Sequence, residues 1–168
     1  MKWVIFTGSW RITNEEVDRD VRAAVRDVIS RGDGVITGGA LGVDWICMDE
    51  AIKVNPTCTQ LRVIIPSKVN TYINHFLKRL NDKIITQEAF DNLEKTLHAI
   101  QKVNPSALME MHFTHIDQSA YDDRDNEEVK YGDEVNAFHV NNSPGTQHTI
   151  DSAVKKGIPV TLHKKYTI

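Results

Sequence analysis

Short, continuous apolar runs alternate along this chain with segments whose apolar residues recur every three or four positions. The runs are Lys2–Thr7, Gly34–Thr37, Leu61–Pro66, Glu134–Val140 and Pro159–Leu162. Runs of this length read as strands buried on both faces, as in a parallel sheet. Between the first two, Val17, Val21, Val25, Val28 and Ile29 have helical spacing. A Thr13-Asn14-Glu15-Glu16 capping box precedes them, with Thr13 as the cap, and Arg31-Gly32 stops the helix. Val43, Ile46, Cys47, Ala51 and Val54 mark a second helix, closed by Asn55-Pro56. Tyr72, Ile73, Phe76, Leu77 and Leu80, then Phe90, Leu93, Leu97 and Ile100, predict two more helices over about residues 70–105. Ile150, Ala153 and Val154 predict a last one, ending at Gly157.

The order strand, helix, strand, helix, strand implies α/β architecture, a mostly parallel sheet with right-handed crossovers. The 70–105 segment reads as a helical insertion, a lid or a subunit arm, within one domain spanning 1–168. The charge-dense stretch Tyr121–Val129 reads as a solvated surface loop.

Composition narrows the function classes. With 20 basic and 23 acidic residues the net charge is -3, so no overall basic footprint for wrapping nucleic acid exists. No apolar run approaches the roughly 18 residues that span a membrane, and the N-terminal apolar run is too short for a signal peptide. Cys47 and Cys58 form no Cys-x-x-Cys pair, and a reducing, cytoplasmic setting is expected. His112, His115, His139 and His148 lack the reinforcing spacing of a zinc site, so no metal is expected.

Chemistry concentrates at two strand–turn–helix junctions. In Val35-Ile36-Thr37-Gly38-Gly39-Ala40-Leu41-Gly42-Val43-Asp44 a strand meets three glycines and then a helix. The unpaired N–H groups of a helix N-terminus favour an anion such as phosphate. Asn141-Asn142-Ser143-Pro144-Gly145-Thr146 is the second such junction, and Gly8-Ser9-Trp10-Arg11 would lie along the same sheet edge. In parallel sheets ligands bind beyond the carboxyl ends of the strands. The dinucleotide fingerprint is incomplete, because Thr37 stands where its first glycine belongs. No Walker A lysine and no Gly-x-Ser-x-Gly elbow is present.

These pieces resemble the SMF/lonely-guy (SLOG) superfamily of Rossmann-like nucleotide-binding proteins. The resemblance rests on Phe6–Arg11, Thr37–Asp44, Arg124-x-Asn126, Ser143–Thr146 and Gly157–Val160, in that order. The Gly-Gly-Ala-x-Gly-x-Asp piece is especially similar to the DNA-processing protein A branch, whose ligand is single-stranded DNA. The resemblance implies a three-layer Rossmann-like fold and a nucleotide, or nucleotide-derived signal, held between two glycine turns. The residues so implied are Gly8, Ser9, Arg11, Gly38, Gly39, Gly42, Asp44, Arg124, Asn126, Ser143, Gly145 and Thr146.

Lonely-guy enzymes cleave the N-glycosidic bond of nucleoside 5′-monophosphates with a Pro-Gly-Gly-x-Gly-Thr-x-x-Glu motif. Here the glycine doublet is missing and Thr149 takes the place of the glutamate. Asp151 lies two positions on, about 200° around a helix. The expectation is therefore a binding protein, a small homo-oligomer that requires no cofactor and takes a nucleotide ligand. Two alternatives stay open: an N-glycosidase using Asp44 and Arg124, and a single-stranded DNA-binding module. Against the latter stand the acidic balance and an aromatic content of only 7%.

Overall fold

Six strands, every neighbouring pair parallel, form one sheet in the order β4-β3-β2-β1-β5-β6 in a computed structural model that describes residues 1–168. The strands are β1 (Trp3–Gly8), β2 (Gly34–Thr37), β3 (Leu61–Ile65), β4 (Leu108–Glu110), β5 (Glu134–Val140) and β6 (Val160–Tyr166). The helices are α1 (Glu15–Ser30), α2 (Val43–Val54), α3 (Val69–Asn81), α4 (Gln87–Val103), α5 (Gln118–Tyr131) and α6 (Pro144–Lys155). The strand order reverses at β1, which lies between β2 and β5. None of the helices is long and apolar enough to cross a membrane.

Successive strand residues point to opposite faces, and both faces are buried. Val4, Phe6, Val35, Val63, Ile65, Phe138 and Val140 join the larger core under α1, α2 and α4. Ile5, Ile36, Ile64, Val135 and Ala137 join a smaller one with Val129 of α5 and Ile150 and Ala153 of α6. The result is the expected three-layer α/β fold, with the sheet wholly parallel.

The α1 stripe Val17, Val21, Val25 and Val28 is buried as its spacing predicts. The cap, however, is Asn14 and not Thr13: Asn14 has extended backbone and its Oδ1 accepts from the Val17 N–H at 3.0 Å. Asn caps at least as well as Thr, and it stands one residue closer to the helix. The stretch Tyr121–Val129, expected as a solvated loop, lies within α5, whose cap Asp117 accepts from the Ala120 N–H at 2.9 Å. Its buried residues include Arg124, Asp125 and Glu128, so an apolar pattern could not reveal it. Three-residue β4 likewise carries too short a pattern to be read.

The expected 70–105 helices are α3 and α4, and they form the crossover from β3 to β4. Phe90, Leu93, Leu97 and Ile100 of α4 are buried in the larger core. Leu97, fully buried, tests this placement. Leu97→Ala should cost about 2–5 kcal/mol, or very roughly 5–15 °C in melting temperature for a chain of this length. An unchanged melting temperature would place α4 outside the core.

Candidate functional site

The turns after β2, β1 and β5 stand side by side, because those three strands are neighbours. The turn after β2 is closed by its own atoms. Asp44, in the first turn of α2, accepts from the Thr37 hydroxyl at 2.9 Å and from the Ala40 N–H at 3.1 Å. The Val43 N–H donates to the Ser9 carbonyl at 2.9 Å, so one anion-seeking N–H of α2 is already matched. Gly42 makes this possible: its φ is +63°, and a Cβ would overlap the Ser9 carbonyl. Ser9 also folds its own turn, its Oγ accepting from the Ile12 N–H at 2.9 Å.

Behind this turn lies a buried charge cluster. Arg124 of α5 is 8% exposed, and its guanidinium rests on Gly38, where any Cβ would overlap it. Its Nε donates to Asp125 at 2.9 Å and lies 3.2 Å from Glu128, while Nη1 sits 3.6 Å from Asp44. That Nη1 finds no hydrogen-bond acceptor in the chain. Three carboxylates thus surround one cation. Burial pushes the Glu128 carboxyl well above the usual range; Arg124 opposes this, and Asp125 and Asp44 add to it. Asp125 is raised for the same leading reason, burial, with Arg124 again opposing. The guanidinium is held charged: burial works against it, but Asp125, Glu128 and Asp44 outweigh burial.

Helix α3 spans this edge. Its His75 Nε2 lies 3.1 Å from the Tyr121 hydroxyl of α5 and 3.1 Å from Arg79 Nε. Burial, with Arg79, His115 and Lys78 nearby, lowers His75 to about 4, so at neutral pH its Nε2 is free to accept. Arg79 in turn lies 4.8 Å from the centre of the Trp10 ring, and Arg11 lies 5.4 Å from it.

The turn after β5 is open by comparison. Ser143 caps α6, its Oγ accepting from the Thr146 N–H at 3.4 Å and sharing a 2.6 Å hydrogen bond with Thr146 Oγ1. Buried His139 donates from Nε2 to the Ser143 carbonyl at 3.0 Å, steadying the cap. Pro144 occupies the first turn, and a Cβ added at Gly145 would meet no side chain or other segment within 4 Å.

Among the sequence-predicted residues, then, Gly38, Gly42, Asp44 and Arg124 meet in one buried assembly, with Gly39 beside Val63 and Ile65. Gly8 packs against Val43. Ser9 and Arg11 follow β1; Ser143, Gly145 and Thr146 open α6. Asn126 lies apart from Arg124, exposed and accepting from Ser152 of α6 at 3.1 Å. Thr149, in the position of the lonely-guy glutamate, is buried and donates to the Gly145 carbonyl at 3.3 Å. Sequence reading missed Asp125 and Glu128. The signal was present in the i, i+4 spacing of Arg124 and Glu128, which puts them on one helix face.

Comparison with solved structures places the fold. DNA processing protein A from Helicobacter pylori, described for its single-stranded DNA binding mode, superposes with a TM-score of 0.64 at 16% identity. The match covers 95% of this chain and 63% of that protein. The structural-genomics target TM1055 gives 0.57 at 18% identity, covering 95% of this chain and 72% of that one. DNA processing protein A from Streptococcus pneumoniae gives 0.59 at 11% identity, covering 99% and 50%. The chain therefore spans less than two-thirds of either DNA processing protein, and these identities establish a shared fold. Neither a protein-family model nor a curated protein sequence matches the chain.

The charge cluster makes a pH prediction. With Glu128 raised in the folded state, the protein loses stability as pH climbs above the unfolded carboxyl value near ~4.3, because only the unfolded chain ionises there. Glu128→Gln removes this term. The variant should match the parent below about pH 4 and melt higher than it at neutral pH. A variant less stable at neutral pH than at pH 4, relative to the parent, would mean Glu128 is an ionised partner of Arg124.

Proposed function

We propose that this chain is a nucleotide-binding protein of the SLOG kind, holding its ligand across the point where the strand order reverses. The carrying observation is that two helix N-termini, those of α2 and α6, flank the β1 turn at the carboxyl ends of adjacent strands. Such reversal points are where open parallel sheets take their ligands. Gly145 of α6 would receive a phosphate, with buried Thr146 bracing the Ser143 cap beside it, since nothing crowds the Cβ position of Gly145 and helix N–H groups favour anions. Arg11, exposed and without a carboxylate partner, would supply the cation. Asp44 and Arg124 would support the site from beneath by holding the 37–44 turn. With both Asp44 oxygens engaged and Thr149 in place of a glutamate, the reading is of a binder.

The exposed Trp10 ring, 37% accessible and close to Arg11 and Arg79, favours single-stranded DNA as a second reading. Aromatic and guanidinium groups together form stacking platforms for bases.

A thermal-shift panel tests both. Adenine and guanine nucleotides, cyclic dinucleotides, ADP-ribose and an oligothymidylate would each be added in turn. A ligand at 100 times its dissociation constant adds about 2.7 kcal/mol, which here is roughly 5–10 °C. A shift with a mononucleotide or cyclic dinucleotide supports the first reading. A shift with the oligonucleotide alone, lost as salt rises, supports the second. No shift across the panel contradicts both.

A further inference from the structure

Beside the β1 and β2 turns, and sharing Arg11 with the first and Gly42 with the second, a cavity of about 370 Å³ opens between α2 and the segment joining α3 to α4. None of the sequence motifs pointed to it. Its apolar wall is made by Leu41, Trp45, Ile46, Ile84, Ile85 and Ala89. Its volume lies at the lower end of ligand pockets, roughly 300–1,000 Å³.

One part of the wall is rigid. The Trp45 indole N–H donates to Thr96 Oγ1 of α4 at 3.1 Å, and Thr96 Oγ1 donates to the Asn92 carbonyl at 2.7 Å. The indole is therefore locked in orientation, as a stacking surface should be. Polar groups lie on the remaining lining. Arg11 is an exposed cation without an ion-pair partner, while Asp18 is neutralised by Arg22 at 2.9 Å. Glu88 and Asn92 offer acceptors on the α4 side. Apolar walls, one fixed aromatic ring, side-chain acceptors and a cation toward the β1 turn match an aromatic heterocycle that carries an anionic group. They do not match a fatty chain, which has no use for the acceptors, or an inorganic anion, which has no use for the walls.

We infer that this cavity is the base pocket of the nucleotide site: the base lies along Trp45 and the phosphate passes Arg11 toward the β1 turn. The inference rests on the nucleotide reading above and adds where the base goes. It assigns ligand-binding roles to Trp45, Ile84 and Ala89. Side chains on the α3–α4 segment thereby become determinants of base preference, a task their apolar spacing alone did not suggest.

The test is calorimetric titration of the intact protein with AMP, GMP, CMP, UMP and ribose 5-phosphate. The wild type should bind its preferred monophosphate at least about tenfold more tightly than ribose 5-phosphate, since a single base–aromatic stack reaches that size. Ala89→Trp fills the cavity and should bring the monophosphate down to the ribose 5-phosphate affinity while leaving ribose 5-phosphate binding unchanged. Ile84→Ser, at an exposed position that leaves the core intact, should weaken the monophosphate about threefold or more and spare ribose 5-phosphate. Melting curves establish that each variant is folded. If both folded variants bind the monophosphate as the wild type does, or if the wild type does not distinguish it from ribose 5-phosphate, the base pocket is overturned and the nucleotide reading survives. If the wild type binds none of the five at millimolar concentration, the base pocket is overturned, and the nucleotide reading stands or falls on the thermal-shift panel with its larger nucleotides.

Discussion

The carboxyl edge of this sheet depends on one guanidinium. Arg124 meets Asp44 of α2, Asp125 and Glu128 of its own helix, and the bare backbone of Gly38. It thereby joins the β2 turn and the first turn of α2 to α5, which lies far along the sequence from both. Burying a charge is costly unless it is paired and hydrogen-bonded; here Asp125 accepts from Arg124 and Glu128 and Asp44 lie close by, while Asp44 itself accepts from Thr37 and Ala40. A glycine at 38 and an arginine at 124 are thus one feature, because a side chain at either end of that contact excludes the other. Three acids surround one base in a site closed to water, and burial first, then the neighbouring carboxylates, pushes the Glu128 and Asp125 carboxyls upward against the pull of Arg124.

That cluster makes the two turns unlike each other. The Thr37–Asp44 turn spends its donors and its glycines on the protein itself: Ser9 takes the Val43 N–H, and the empty Cβ positions at 38 and 42 are filled by Arg124 and by the Ser9 carbonyl. The Ser143–Thr146 turn keeps clear space at Gly145. A glycine-rich loop is commonly taken to mean that a ligand lies against it. In this chain the glycine-rich member of the pair is the support, and the sparer member faces outward.

Much of this was legible in the sequence, and the parts that were not share a cause. Continuous apolar runs identified five of the six strands, and the valine stripe identified α1, because burial there is by apolar side chains at the element's own period. Helix α5 shows no such period: its buried face is built from Arg124, Asp125 and Glu128, which read as solvent-facing until their partners are known. The three residues of β4 offer no pattern to read. At the site, motif order brought the right turns to one edge, but not their roles. That Asp44 is consumed within its own turn depends on Thr37, Ala40 and Arg124 arriving together, and that Asn126 faces Ser152 depends on where α6 packs. The Trp45 cavity arises from the meeting of α2 with the α3–α4 segment, and no local stretch encodes it.

The picture that results is a parallel sheet whose turn after β2 is locked from below and whose open edge lies between the β1 turn and α6. Its central claim is that a nucleotide occupies that edge, above the Arg124 cluster and not within it. The most direct measurement follows backbone amide resonances of the labelled protein during titration with the nucleotide that binds. The account predicts the largest shifts at Ser9, Arg11, Gly145 and Thr146, with the Glu128 amide little moved. Shifts centred on α5 with those four amides unmoved, or no shifts anywhere at saturating nucleotide, would contradict it.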